Sequence, residues 1–169
     1  QGNGSAENHY IIATAGNLAY FRNEVDAGRM TDAHVKLGAN ICLASNPANG
    51  EPISFDPIGW GYGRASYNAG GAEGRTFGLY QNGWDLGYVK TNCGIGLFAS
   101  ATNATIKNLT ITGADIRVET VEAGVLVGLA QGNCTFENIN IYGCTIANYQ
   151  KPAGGVVGEV SPVFDESGT

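Results

Sequence analysis

One stretch of this chain copies itself at an interval of thirty residues. Asn103–Ile116 (NATIKNLTITGADI) lies over Asn133–Ile146 (NCTFENINIYGCTI), with identities at Asn103/Asn133, Thr105/Thr135, Asn108/Asn138, Ile111/Ile141, Gly113/Gly143 and Ile116/Ile146. Ala123–Ala130 (AGVLVGLA) matches Ala153–Val160 (AGGVVGEV) at the same spacing, and Cys93–Ser100 (CGIGLFAS) stands one interval earlier. A fixed period of this size marks units that cannot bury an apolar face alone and must stack on their neighbours. The chain is therefore expected to grow by stacking copies.

Each unit supplies an apolar run (Gly124–Ala130), a short pair (Thr135–Phe136) and an alternating stretch (Ile139–Tyr142). Three short strands joined by small or Asn-containing bends describe one circuit of a parallel β-helix, with equivalent residues about 4.8 Å apart between circuits. This predicts interior columns of Ile106 over Phe136, Leu109 over Ile139 and Ile111 over Ile141. Lys107, Glu137, Thr110 and Asn140 are expected outside, with Asn108 over Asn138 at a left-handed bend.

Composition agrees. Glycine accounts for 26 of 169 residues, about twice the usual share, and it recurs beside Val, Ile, Thr and Asn as short strands and tight turns require. Nine basic against fifteen acidic residues leave a net charge of −6, so the basic stripe that nucleic acid needs is absent. No apolar run approaches the roughly 18 residues of a membrane span, and no secretion leader opens the sequence. If a leader exists, it has been removed. Cys42, Cys93, Cys134 and Cys144 form no CxxC pair and no Cys/His cluster, which argues against zinc and leaves disulfide pairing open.

The first third reads differently. His9–Ile12 (HYII), His34–Leu37 (HVKL) and Asn40–Leu43 (NICL) look like strands. Between the first two, Leu18, Phe21 and Val25 make the stripe of an amphipathic helix, capped by Thr14 and closed by Gly28. Residues 1–45 thus read as a strand–helix–strand cap, 46–75 as a long Gly/Pro/aromatic loop, and 76–169 as repeat turns. The third repeat barely begins at Gly154–Val160. Its open end is expected to be covered by a chain continuation or by a symmetry mate.

GIGLFASATNATIKNLTITGADI and the following AGVLVGLAQGNCTFENINIYG resemble the GLUG repeat of bacterial surface and adhesin-like proteins. The same repeat occurs in the non-catalytic part of IgA-cleaving metallopeptidases. Upstream, NLAYFRNEVDAG with VKLGANICL resembles the helix-and-strand segment that precedes such repeats. FDPIGW and RTFGLYQNGWDLGYV resemble the stretch that commonly follows it. The likeness runs from about Tyr10 to Val160. It departs from the pattern at Gln81, where the family usually has Asp, and by one missing glycine before Asn82-Gly83. The resemblance implies a mainly β, right-handed parallel β-helix with an N-terminal cap, outside a bacterial cell, and it implies no catalytic residues.

Parallel β-helices also host polysaccharide-cleaving enzymes, and a glycosidase needs two carboxylates across one groove. Asp85 and Asp115 fall at equivalent positions, with Glu119 nearby, but they read as solvated turn residues with no Arg or Lys beside them. His9 and His34 lack the Glu-x-x-His of a zinc peptidase and read as strand-edge residues. Gly59–Gly74 lacks the Gly-Lys-Ser/Thr of a phosphate loop. No cofactor or metal site is expected. The better candidates are aromatic: Trp60, Tyr62, Tyr67, Tyr80, Trp84 and Tyr88 as a platform for a glycan or protein ligand. The sequence reading is a non-catalytic extracellular module for adhesion, display or extension. Its alternatives are an accessory region of a surface peptidase and part of a carbohydrate-active enzyme.

Overall fold

A computed structural model describes residues 2–43, 55, 57–59, 94–118 and 121–162. The described chain is mainly β, with one helix and parallel pairing throughout. It opens with β1 (Tyr10–Ile12), α1 (Ala15–Asp26) and β2 (Val35–Leu37). There follow β3 (Phe98–Thr102), β4 (Thr105–Thr112), β5 (Asp115–Val118), β6 (Ala123–Gly124) and β7 (Val127–Gln131). The last four are β8 (Thr135–Tyr142), β9 (Thr145–Asn148), β10 (Ala153–Gly154) and β11 (Val157–Ser161).

Helix α1 forms where the stripe predicts it. Thr14 caps it, its hydroxyl accepting from the Asn17 N–H at 3.1 Å. Gly28 turns left-handed at φ +74°, and the Gly28 and Arg29 N–H groups donate back to Val25 and Glu24 carbonyls at 2.9 and 2.8 Å. Those two bonds satisfy carbonyls that the helix end would otherwise leave bare. Leu18 and Phe21 are buried with Ile12, Phe55 and Ile58. Asn40–Leu43, expected as a strand, is not one. Ile41 and Leu43 pack against the helix cluster, so their apolar surface is satisfied by contact with α1 and its neighbours.

The repeat sets the register of everything after β3. Thr105 lies opposite Thr135, Ile106 opposite Phe136, Leu109 opposite Ile139 and Ile111 opposite Ile141. Ile116 lies opposite Ile146 and Ala123 opposite Ala153. The columns drawn from sequence are present, and Ile106, Leu109, Ile111, Phe136 and Ile139 all pack on a buried cluster of Ala101, Leu126, Val127 and Ala130. A neighbouring cluster gathers Ile95, Ile116, Val118, Ala123 and Val125.

Three details correct the sequence picture. The short pair and the alternating stretch are one strand, bent in its middle by Asn108 (φ +56°) in β4 and Asn138 (φ +51°) in β8. A strand alternates faces strictly, so Ile106 and Leu109, three apart, could not both point inward without that bend. Each copy also has a further strand, β5 and then β9, that the sequence reading did not include. The upstream copy is out of step as well: Phe98 lies opposite Val127 and Ala101 opposite Ala130, one residue short of the interval. The extra residue in the later copy is Gly132, in a left-handed conformation at φ +65°.

Residues 46–75, expected to be loop, contain a rung of the ladder. The Ile58 N–H donates to Leu97 O and the Ala99 N–H to Ile58 O, both at 2.8 Å. Ile58, Phe98, Val127 and Val157 therefore follow one another across successive parallel pairings. Apolar Ile58 closes the edge of β3 that would otherwise be open.

Candidate functional site

The aromatic platform expected from sequence (Trp60, Tyr62, Tyr67, Tyr80, Trp84 and Tyr88) lies outside the described residues, as do Asp85, Glu119 and Cys93. What the structure does describe is the outer surface of the stack. On β4 and β8 the residues between the interior columns face solvent in matched pairs: Thr105 with Thr135, Lys107 with Glu137, Thr110 with Asn140 and Thr112 with Tyr142. The Lys107–Glu137 pair sets opposite charges side by side on adjacent strands, a favourable cross-strand arrangement. Asn108 and Asn138 also stack, the Asn138 amide donating to Asn108 Oδ1 at 2.9 Å. One bend residue up, Asn103 Oδ1 accepts from the Asn133 N–H at 3.0 Å. The result is a ladder of hydroxyls, amides and charges at the spacing of parallel strands.

The same surface continues onto β5 and β9. Asp115 and Arg117 are exposed there and paired, Arg117 Nε lying 3.2 Å from Asp115 Oδ1. The hydrogen bond and charge of Asp115 raise the Arg117 pKa above its ordinary value. Tyr149, 72% exposed, stands close enough to add to that shift, and Tyr142 is 60% exposed. Neither tyrosine was singled out from the sequence. For Tyr142 the signal was available, since it takes an outward position once the alternation is reset at Asn138; Tyr149 lies in the bend after β9, where no alternation points to it.

Asp115 is bound to Arg117 of its own strand, and Glu122 is buried, with Lys151 3.5 Å from its Oε1. The expectation that no cation stands beside Asp115 is therefore corrected. The thirty-residue interval carries Glu122 to Pro152, next to Lys151, so the repeat brings the two close without matching them. Asn148 anchors the same corner, its side-chain amide donating to Val121 O at 2.7 Å.

Cys134 and Cys144 occupy the positions of Ala104 and Ala114, as expected, but are half-buried. Their thiols hydrogen-bond to backbone: Cys134 to Gln131 O at 3.3 Å and Cys144 to Tyr142 O at 3.4 Å. Both are free, as is exposed Cys42. His9 and His34 sit where the sequence put them, immediately before β1 and β2. Among the described residues, no group of three or more His, Cys, Asp or Glu is placed to hold a metal, and no helix is long and apolar enough to cross a membrane.

No family model matches the chain, and no solved structure matches it. One curated relative, provisionally named a Gly-rich membrane protein, from Evansella cellulosilytica, is 35% identical over 133 residues. The match takes in 78% of this chain, yet the chain spans only 14% of the relative's length.

Proposed function

We propose that the paired strands are successive circuits of a right-handed parallel β-helix of the GLUG-repeat kind, and that the chain is a non-catalytic module of the bacterial cell exterior. The observation that carries the reading is the register. Equivalent residues of consecutive copies lie directly opposite each other where β4 pairs with β8, β5 with β9, β6 with β10 and β7 with β11, with left-handed Asn at the same bend of β4 and β8. A scaffold built by repetition presents the same kind of surface on every circuit, which suits extended ligands and display better than a reaction centre. The pairing of Asp115 with Arg117 and of Glu122 with Lys151 supports a structural use for these acids. The relative's name supports a place at the cell envelope.

The ligand class is a glycan or an extended protein segment. Hydroxyls and amides in a ladder can hydrogen-bond such a chain, and exposed Tyr142 and Tyr149 offer flat apolar faces with a polar tip. The outer edge of β11 completes the reading: among the described residues β11 pairs only with β7, and Val160 on it is 71% exposed. A further strand, from a chain continuation or a second copy, fits there. The test is a glycan and protein array probed with the purified chain, followed by Tyr142→Ala, Tyr149→Ala and Trp60→Ala. The proposal expects binding that weakens at least fivefold in one of the three. Turnover of a polysaccharide, lost on Asp115→Asn, would overturn it.

A further inference from the structure

The cap holds a pair of imidazoles with no part in the surface just described. His9 and His34 each stand one residue before a strand, and β1 and β2 are parallel with Tyr10 opposite Val35. The two histidines are therefore neighbours across the ladder, twenty-five residues apart in sequence with a helix between them. Their backbones are pinned: the Tyr10 N–H donates to His34 O and the His34 N–H to Gly4 O, each at 2.9 Å. Their rings lie 5.6 Å apart between centroids, with planes at 80°. His9 is half-buried and His34 exposed, so the pair is open to solvent while the backbones hold it in place.

We propose that His9 and His34 form a two-imidazole site for a borderline divalent cation of the zinc–nickel–copper class. An imidazole nitrogen binds such an ion at about 2.0–2.1 Å, which puts each ring centroid about 3.2 Å from the metal and two rings at a tetrahedral angle about 5.2 Å apart. The observed 5.6 Å is within a few tenths of an ångström of that span. Imidazole is the commonest side-chain ligand for these ions, and two on adjacent strands need little reordering to share one. Among the described residues no third protein ligand joins them, so water fills the remaining positions. Bound metal would tie β1 to β2 at the end of the ladder opposite to the turn that enters α1.

Titration of the full 169-residue chain with Ni²⁺ alone, followed by calorimetry and by amide NMR, tests this. The expected result is one site, with paramagnetic broadening centred on residues 8–11 and 33–36. His9→Ala and His34→Ala should each weaken it roughly 10–100-fold, the scale on which even an outer-shell partner matters to a metal site. Broadening centred on the cysteines or the chain terminus would overturn the proposal, as would unchanged affinity in both folded variants. The NMR map uses the unmodified protein, so it decides the matter even if a variant does not fold.

Discussion

Two parallel ladders in this molecule are held in register by different means. In the cap, α1 carries the chain from β1 back to β2, and unlike residues face each other: Ile11 opposite Lys36 and Tyr10 opposite Val35. In the repeats the second copy of the sequence lies alongside the first, and like faces like: Thr105 and Thr135, Ile111 and Ile141, Ile116 and Ile146. A helical crossover sets the register once, through the packing of Leu18 and Phe21. Repetition sets it again at every rung. Damage to the cap should therefore stay local, while damage to the stack should spread along it.

The sharpest way to break that contrast is to force two circuits apart. A Cβ at Gly94 would lie 2.5 Å from the Gly128 backbone, and one at Gly128 would meet Gly94 and Ile95 backbone in return. No side-chain rotation relieves such a clash. Gly128→Val should cost about 3 kcal/mol or more and strip hydrogen-exchange protection from β3 to β11. If protection is lost only around residue 128, the rungs are less coupled than the register implies. Gly143 is a useful control, because a Cβ there meets nothing within 4 Å and only its φ of +58° resists substitution. Gly143→Ala should cost about 1 kcal/mol.

Next in size is a matched pair of core truncations. Ile116 is fully buried within the repeat cluster, and Phe21 is buried within the cap cluster. Ile116→Ala should cost about 2–5 and Phe21→Ala about 3–5 kcal/mol in urea unfolding. The amides they expose should differ: β4 to β9 for Ile116, and α1 with β1 and β2 for Phe21. Leu97 and Phe98 pack on both the cap cluster and the repeat interior, so some protection at β3 should fall in each variant. Equal losses everywhere would mean that cap and stack unfold as one body.

The asymmetry between the regions also explains what could be read from sequence. Identity at one interval gave the pairing of β4 with β8 residue by residue, because stacking makes sequence distance and spatial contact the same quantity. The cap helix was legible for a different reason, its apolar stripe and its two capping residues. Ile58 was missed because its rung spans forty residues to Phe98, so no period points to it. The slip at β3 was missed because a single glycine, Gly132, absorbs it. Of the candidate surface, the outward positions were legible, but the aromatic platform drawn from the sequence falls outside the described residues.

A smaller effect separates the bend from the columns. Asn138 supplies both a left-handed backbone and an amide for Asn108. Asn138→Ala loses both and should cost about 1–2 kcal/mol, whereas Asn138→Gly keeps the backbone and should cost less. The difference between the two variants, measured by urea midpoint, isolates the cost of the left-handed backbone. Were they equally damaging, the amide bond would carry the stability and the backbone argument for the bend would fail.

The smallest effect belongs to the cap. Arg29 grips Glu24 with two hydrogen bonds, Nε to Oε2 at 2.7 Å and Nη2 to Oε1 at 2.6 Å. The side-chain hydrogen bond from Arg29 lowers the Glu24 pKa below the ordinary 4.5, partly offset by desolvation. A depressed carboxylate pKa means that the folded state holds the proton less tightly than the unfolded chain. The contribution is therefore fully present above about pH 4.5 and is lost as pH falls through the lower folded value. Both partners reach solvent, so the gain is small and screened by salt. Arg29→Gln should move the Glu24 carboxyl titration, followed by carbon NMR, back up toward 4.5. It should leave the amides of β4 to β11 untouched, since a register set once by helix packing has no rung along which to pass the change.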